Sequence, residues 1–461
     1  MGMPQLASII LAAGQGTRMK SKLPKVIHPL LGKPVLRYVA DSAERCGADP
    51  ILIVIGFQGE KVMEAMGSGY QYIWQREQRG TGHALLVAEE ALRGLDGDLL
   101  VLYGDTPLLK PETITELVRT KHQQGAVASI LTTEMEDPTG YGRIIRGAEG
   151  LITAIVEQKD ATQAQREIRE VNTGVYCFSI PELLDALKKL SPKNAQGEYY
   201  LTDVFKILVD RGLTIAGLKT GDAEEVMGPN DRAQLARTEN YLKRNINEEW
   251  MRQGVTIADP AFTYIGPEVE IGKDTAILPG TFLMGRTKIG EDCIIGPHTK
   301  ISDSEIGAGT TVQFSQVIEA RIGPENTIGP FAFIRPGTDT ASQVKVGDFV
   351  ELKNSVIGPG SKVPHLSYLG DTEVGAGVNI GAGTITCNYD GVHKHRTVIG
   401  DDAFIGSNAN LVAPVRIGNG ATVAAGSTIT KEVPEKTLGV ARAKQENKPE
   451  WRSPRQRHPK E

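Results

Sequence analysis

The sequence predicts two folds in series. Residues 1–228 form an α/β domain on a largely parallel sheet, and residues 253–437 form a coil of short parallel β-strands. Three observations predict this. Short apolar runs alternate with amphipathic stretches in the first half. Aliphatic residues recur every six positions in the second. The composition, with 52 glycines and 5% aromatic residues, suits a narrow aliphatic core joined by tight turns.

In the first half, "ASIILAAG" reads as a buried strand and "PVLRYVADSAERCG" as the helix after it. "PILIVIG" and "GEKVMEAM" repeat that order, and "TGHALLVAEEAL" precedes the strand "DLLVLYGD". "ETITELVRTKHQQG" then leads to "AVASILTTEM". Buried strands alternating with helices imply a Rossmann-like sheet, whose ligands bind beyond the carboxyl ends of the strands. "LAAGQGTRM" and "YGD" fall there.

Residues 229–252, "PNDRAQLARTENYLKRNINEEWMR", carry apolar side chains at helical spacing and read as a connecting helix. Beyond them Ile265, Ile271, Ile277, Leu283, Ile289, Ile295 and Ile301 are evenly spaced. The phase returns with Ile399, Ile405, Leu411, Ile417, Val423 and Ile429. A period of six fits neither a helix nor an alternating strand. It fits a flat strand and a turn per hexad, three hexads closing a triangular coil whose aliphatic residues stack up the interior. This pattern resembles the left-handed parallel β-helix, an exception to the right-handed crossover rule. Residues 438–461 read as a basic, loosely ordered tail.

A net charge of −5 and a pI near 6.0 argue against general nucleic-acid binding. No stretch reaches the ~18 apolar residues of a membrane span, and no basic, cleavable leader opens the chain. Cys46, Cys177, Cys293 and Cys387 are scattered, which suggests neither a disulfide framework nor a zinc site and fits a reduced cytoplasmic compartment.

"LAAGQGTRM" is neither GxxxxGK[ST] nor GxGxxG, since Met19 stands where a third glycine would. What remains is a strand-to-loop turn with Gly14, Gly16 and the guanidinium of Arg18, followed by Lys25 in "LPK". Backbone amides with Arg and Lys can hold a triphosphate. With "QREQRGTGHA", "LYGDTPLL", "GYGRI", "IVEQKDA" and "VNTGVY" in the same order, the first half resembles the sugar-1-phosphate nucleotidyltransferase family. The resemblance implies that Leu11, Ala12, Ala13 and Gly14 line a uridine and phosphate pocket, with Gln75, Gly80 and Thr81 at the base. It gives Arg18 and Lys25 the α-phosphate and the leaving pyrophosphate, and it includes Tyr103 and Gly104 of "YGD" in the nucleotide site. Asp105 and Asn230 resemble ligands of Mg²⁺; Gly142, Glu157 and Asn172 resemble sugar-binding positions. A charged sugar-phosphate oxygen needs no protein nucleophile or base for in-line attack on the α-phosphate.

The hexapeptide half is interrupted by "FIRPGTDTASQVKVGDFVELKN", "KVPHLSYLGD" and "VNIGAGTITCNYDGVHKHRT". With Val363 and Leu369 as interior rungs, His365 and Tyr368 project outward. These segments resemble the acetyltransferase half of the bacterial bifunctional family that makes UDP-N-acetylglucosamine. That resemblance implies acetyl-CoA, UTP and glucosamine-1-phosphate as substrates, N-acetylglucosamine-1-phosphate as the intermediate, and a homotrimer with a site at the subunit boundary. His365 would be the base, Arg335 and Lys353 the phosphate clamp, and Tyr368, Asn379, Asn388 and Tyr389 would position sugar or acyl group. Ala382, Ser407, Ala425 and Arg442 match acetyl-CoA positions.

Other readings are a nucleotidyltransferase with a regulatory β-helix, a non-catalytic subunit of a translation exchange factor, and a three-histidine zinc site of His365, His393 and His395. The polar interruption, the retention of Arg18, Lys25 and Asp105, and the basic character of "GVHKHRT" weigh against them in turn.

Overall fold

A computed structural model describes residues 5–147 and 150–457. It divides into two compact units, Met1–Leu242 and Lys243–Glu461.

In the first unit the strand Leu6–Leu11 lies between Asp98–Tyr103 and Ile51–Ile55, parallel to both. Gln71–Trp74 extends the sheet beyond Ile51–Ile55. On the other side follow Glu170–Ser179, Ala128–Glu134 and Ile215–Thr220. Glu170–Ser179 runs antiparallel to both its neighbours and carries a hairpin, Arg143–Arg146 with Ile152–Val156. The alternation of apolar runs did not foretell this reversed strand, because its direction depends on a long return connection rather than on local pattern.

Period two divides the strand residues between the two faces of the sheet. Ile9, Val54 and Val101 enter one core with Leu183, Phe205 and Leu208. Ile10, Ile53 and Leu100 enter the other with Leu36, Val39 and Ile114. Helices Val35–Arg45 and Pro111–Gln123 cover the second face, and Ile180–Leu187 and Asp203–Asp210 the first. The connecting helix runs Arg232–Arg252; Leu235 and Leu242 pack on Leu30, Val35 and Tyr38.

The second unit is a left-handed parallel β-helix of three parallel sheets. Pairings such as Ile277 with Ile295, Leu283 with Ile301 and Ile271 with Ile289 stack one coil on the next. Every rung of the six-residue ladder named above is buried, and all belong to one continuous core. The ladder does not stop where the sequence period falters. Ile306, Val317, Ile322, Ile334, Val346, Leu352, Ile357, Val363 and Leu369 carry it through, with turns one residue shorter at several corners. One rung is Thr340, whose hydroxyl accepts from Asn326 Nδ2 at 2.7 Å, so the polar rung is satisfied. The one long insertion is the loop 388–396, closed by a bridge between Tyr389 and Lys394. Leu438–Gly439, the start of the sequence-predicted tail, pairs as a strand with Thr422–Val423.

Candidate functional site

At the carboxyl end of the central strands the first unit holds a cleft of about 610 Å³. Leu11, Ala12, Ala13 and Gly14 form its floor where the first strand ends, with Ala12 N–H donating to Val54 O at 2.8 Å. The loop then turns through Gly16, at φ 58°, and Met19 is buried beneath it. Gly16 serves close approach: a Cβ there would lie 2.6 Å from Lys25 Cβ. Arg18 and Lys25 thereby line the same cleft.

Lys25 Nζ donates to Asp105 Oδ2 and, at 2.8 Å, to Asn230 Oδ1. Asp105 follows Tyr103 at the end of a neighbouring strand, and Asn230 arrives on "GPN". A Cβ on Gly228 would fall 2.6 Å from the Asp105 carbonyl oxygen, so glycine lets this segment press against Asp105. Two oxygens, from residues far apart in sequence, thus converge on one cation. Hard oxygen donors around a single positive group are a donor set that suits Mg²⁺, with phosphate and water completing its shell.

Gln75, Gly80, Thr81 and Tyr103 form another wall. Gln75 Nε2 donates to Gly80 O at 3.1 Å, and Thr81 Oγ1 accepts from Leu201 N–H at 3.2 Å. Glu157 also faces the cleft, its Oε1 accepting from Thr202 at 2.9 Å. Burial pushes the Glu157 carboxyl above its usual range; Thr202 opposes, while Asp160 and Asp203 add to the rise. Gly104, Gly142 and Asn172 do not line the cleft itself. Gly104 N–H donates to Leu11 O at 2.9 Å behind the floor. Gly142 lies beside Asn172 and Glu157, and Asn172 donates to the Tyr176 hydroxyl at 2.8 Å. Sequence reasoning missed Gln78, Gln196, Glu198 and Tyr200 in the lining. The segment carrying the last three is stitched to Gly82 and Arg79 through Tyr199, in backbone bonds of 2.8 Å. The only sequence signal was a polar, glycine-containing break, "KNAQGEYY".

In the β-helix unit Val363 and Leu369 are interior rungs, and His365 and Tyr368 face outward as predicted. Arg335 and Lys353 occupy the same position on successive coils, one residue past the paired rungs Ile334 and Leu352. Above Lys353 stands Gly370, where a Cβ would meet the Tyr368 hydroxyl at 2.4 Å and Asn388 Nδ2 at 2.7 Å. Asn388 and Asn354 donate to the two oxygens of Asp371 at 2.5 and 2.6 Å. Partial burial would raise that carboxyl, but these two bonds and the ammoniums of Lys353 and Lys394 hold it below its usual range. Lys394, from the inserted loop, lowers the Lys353 ammonium, with burial and Arg335 contributing and Asp371 opposing. Arg335 bonds Glu351 at 2.6 Å. Three cations thus crowd one place, an excess that an anion would relieve.

His365 Nδ1 lies 2.5 Å from Asp348 Oδ1, and His395 Nε2 lies 2.7 Å from Asp390 Oδ2. Tyr389 is exposed and donates to Gly391 O at 2.6 Å. On the sheet that carries His365, Asn379 faces outward opposite Lys362 and Phe404. Ala382, Ser407 and Ala425 rise in one column there: Asn408 N–H donates to Ala382 O, and Gly426 N–H to Ser407 O. Arg442 closes it, donating to Ala425 O at 2.9 Å. Arg335 and Lys353 thus join Lys394 in a cationic cluster, His365 pairs with Asp348, which the sequence did not single out, and Ala382, Ser407 and Ala425 form a small-residue column. The loop 388–396 supplies Lys394, which the reading of the sequence set only in a basic loop.

Among the described residues no helix is long and apolar enough to cross a membrane. The four cysteines are unpaired.

Comparison with known proteins agrees with both halves. Residues 8–197 match the MobA-like NTP transferase domain, and residues 268–303 and 396–431 match the bacterial transferase hexapeptide, six repeats. The bifunctional protein GlmU of Halalkalibacterium halodurans is 52% identical over 441 residues, 96% of this chain and 97% of the relative. That of Carboxydothermus hydrogenoformans is 52% identical over 446 residues, covering 97% of this chain and 100% of the relative. The Listeria welshimeri protein of the same name is 48% identical over 444 residues, 96% and 97% of the two chains. With a nucleotidyltransferase cleft in one unit, a hexapeptide coil in the other and near-complete alignment to these relatives, the chain belongs to the family of bifunctional GlmU proteins.

Proposed function

We propose that the two activities of this enzyme divide between its units, with residues 1–228 the uridylyltransferase, 229–252 a connector, 253–437 the acetyltransferase and 438–461 a basic tail whose start joins the coil through Leu438–Gly439 and Arg442. The enzyme transfers acetyl from acetyl-CoA to glucosamine-1-phosphate, then uridylyl from UTP to N-acetylglucosamine-1-phosphate, releasing pyrophosphate.

The observation that carries the first site is the convergence of Lys25, Asp105 and Asn230 beside Arg18. Arg18 and Lys25 neutralise the triphosphate while a phosphate oxygen of the sugar attacks the α-phosphorus and the bond to pyrophosphate breaks. The backbone of Leu11, Ala12, Ala13 and Gly14 leaves room for the nucleotide, Gln75, Gly80, Thr81 and Tyr103 fix its base and ribose, and Gly104 braces the floor from behind. Glu157 orients the sugar from the cleft wall, and Gly142 and Asn172 stand beside it just outside the lining. Asp105 and Asn230 would hold Mg²⁺, which when bound supplies charge neutralisation at the phosphates.

In the second site the sugar phosphate fits the cations of Arg335, Lys353 and Lys394. Tyr368, Asn379, Asn388 and Tyr389 orient sugar and acyl group, and His365 takes a proton from the attacking amine. The column of Ala382, Ser407 and Ala425, with Arg442, accepts acetyl-CoA; small side chains leave room for the pantetheine arm.

A homotrimer fits an exposed ridge on one edge of the β-helix. His298, Phe314, Phe331 and Phe349 stack on successive coils at centroid separations of 5.7, 5.7 and 5.4 Å. Each has positive φ, as has Leu366 beyond them. Bulky residues in that conformation cost about 1–2 kcal/mol each, and this ridge is apolar and solvent-facing. A second and third copy covering it would offset both costs. Four unpaired cysteines and the absence, among the described residues, of a membrane-spanning helix fit a cytoplasmic enzyme.

The test is Lys25→Ala with both reactions assayed. Uridylyl transfer should fall at least about a hundredfold while acetyl transfer stays at the parental rate; equal loss of both would refute the division.

A further inference from the structure

Strands Lys345–Asp348 and Lys362–His365 pair in parallel on adjacent coils, and their last residues, Asp348 and His365, stand opposite each other. Each is followed by a left-handed residue, Phe349 at φ 55° and Leu366 at φ 48°, which carries the chain away and leaves the two side chains at the strand exit. Gly347 sets their approach. A Cβ there would lie 1.9 Å from the Pro364 carbonyl oxygen, so only glycine lets the coils close at this point. The result is the 2.5 Å contact between Asp348 Oδ1 and His365 Nδ1. The contact holds the Asp348 carboxyl below its usual range, so it is ionised at neutral pH.

An ionised carboxylate only accepts hydrogen bonds. The proton in this contact therefore belongs to Nδ1, and the lone pair of the neutral ring is on Nε2. The second hydrogen bond at the strand exit, from Ser367 Oγ to the His365 carbonyl at 2.9 Å, fixes the backbone beneath the ring.

We propose that Asp348 is a positioning residue for acetyl transfer, holding His365 in the Nδ1–H tautomer with Nε2 presented to the substrate amine. This rests on His365 being the base, as proposed above. Starting from the neutral amine, the nitrogen lone pair forms the bond to the thioester carbonyl carbon, and the carbon–sulfur pair leaves on sulfur. The nitrogen proton passes to His365 Nε2. The imidazolium, still bonded to Asp348, then returns that proton to sulfur, so coenzyme A leaves as the thiol and the histidine is reset. Without Asp348 the ring is free to rotate and to take the other tautomer, which presents no lone pair on Nε2.

Asp348→Asn in the full-length enzyme tests this, with thiol release from acetyl-CoA as the assay. The kcat for acetyl transfer should fall about tenfold or more, with KM for glucosamine-1-phosphate and acetyl-CoA held within about twofold. Uridylyl transfer at the parental rate reports an intact fold. In the unsubstituted enzyme, ¹⁵N-histidine spectra should show His365, assigned by its loss in His365→Ala, protonated on Nδ1. A parental kcat in Asp348→Asn, a loss carried by KM, or an Nε2–H tautomer in the unsubstituted enzyme would overturn the proposal. Parental thiol release by His365→Ala would instead overturn the assignment of the base.

Discussion

Glu157 shows how a residue proposed to bind the sugar is held at a cost to the fold. Its half-buried carboxylate lines the cleft with the Thr202 hydroxyl as its hydrogen-bond donor, and partial burial raises its pKa. An acid whose folded-state pKa is raised destabilises the fold as pH climbs from its unfolded value through its folded one. Glu157→Gln removes that charge. The melting temperature should rise at pH 7, and the difference should vanish below the ordinary glutamate value of 4.5. The same substitution weakens the proposed bond to a sugar hydroxyl, so KM for N-acetylglucosamine-1-phosphate should increase about tenfold. Calorimetry across pH and steady-state kinetics check the two halves independently. In the second unit, Asp390 makes the opposite contribution. The amides of His393 and Val392 and the ring of His395 lower its pKa to about 2. Its share in ordering the inserted loop is therefore present above the ordinary aspartate value and lost as pH falls through about 2.

At the scale of elements, the strand Glu170–Ser179 does the most to shape the first site. Its register with Ala128–Glu134 slips between Asn172 and Tyr176, a bulge that gives Asn172 its place beside Gly142. Gly174 lies in the bulge at φ 83°, and a Cβ there would sit 1.9 Å from the Tyr103 ring. Gly174→Ala should cost about 2–4 kcal/mol in stability, seen as a lower denaturation midpoint, and should displace Tyr103 so that UTP binding weakens in calorimetric titration. Parental stability would mean that the ring can move aside. The sequence revealed the strands and helices of the first unit from "ASIILAAG" to "AVASILTTEM" and the rungs at 265–301 and 399–429 of the second, because each buries a periodic face: Ile9 and Ile10 divide between two cores, and Ile277 and Ile295 share one. It also revealed Asp105, because a carboxylate behind "LLVLYG" must stand at a sheet's edge. It did not reveal the bulge, the antiparallel course of its strand, or Gln196, Glu198 and Tyr200. Those depend on where a loop returns, which no local period records. The unbroken ladder from Ile301 to Ile399 was hidden for a related reason: five-residue steps keep the coil closed while destroying the sequence period.

Across the whole molecule, the two units are each held together by cores of a different kind. The first unit packs helices on both faces of a sheet, and the second is a single column in which each coil contacts only its neighbours. A substitution on the exposed ridge should therefore act through assembly rather than through the fold. Phe331→Asp is expected to convert the proposed trimer into monomer in light scattering, while the β-sheet signal in circular dichroism persists. A trimer that survives the substitution would place the contact elsewhere.

Acetyl transfer is what distinguishes this hexapeptide coil from a scaffold. The decisive measurement is free thiol released from acetyl-CoA by the full-length enzyme without nucleotide, comparing glucosamine-1-phosphate with glucose-1-phosphate. Release that requires the amino sugar and collapses in His365→Ala is the expected result. No release from folded enzyme that still consumes UTP with N-acetylglucosamine-1-phosphate would contradict the account and remove every role assigned to the β-helix.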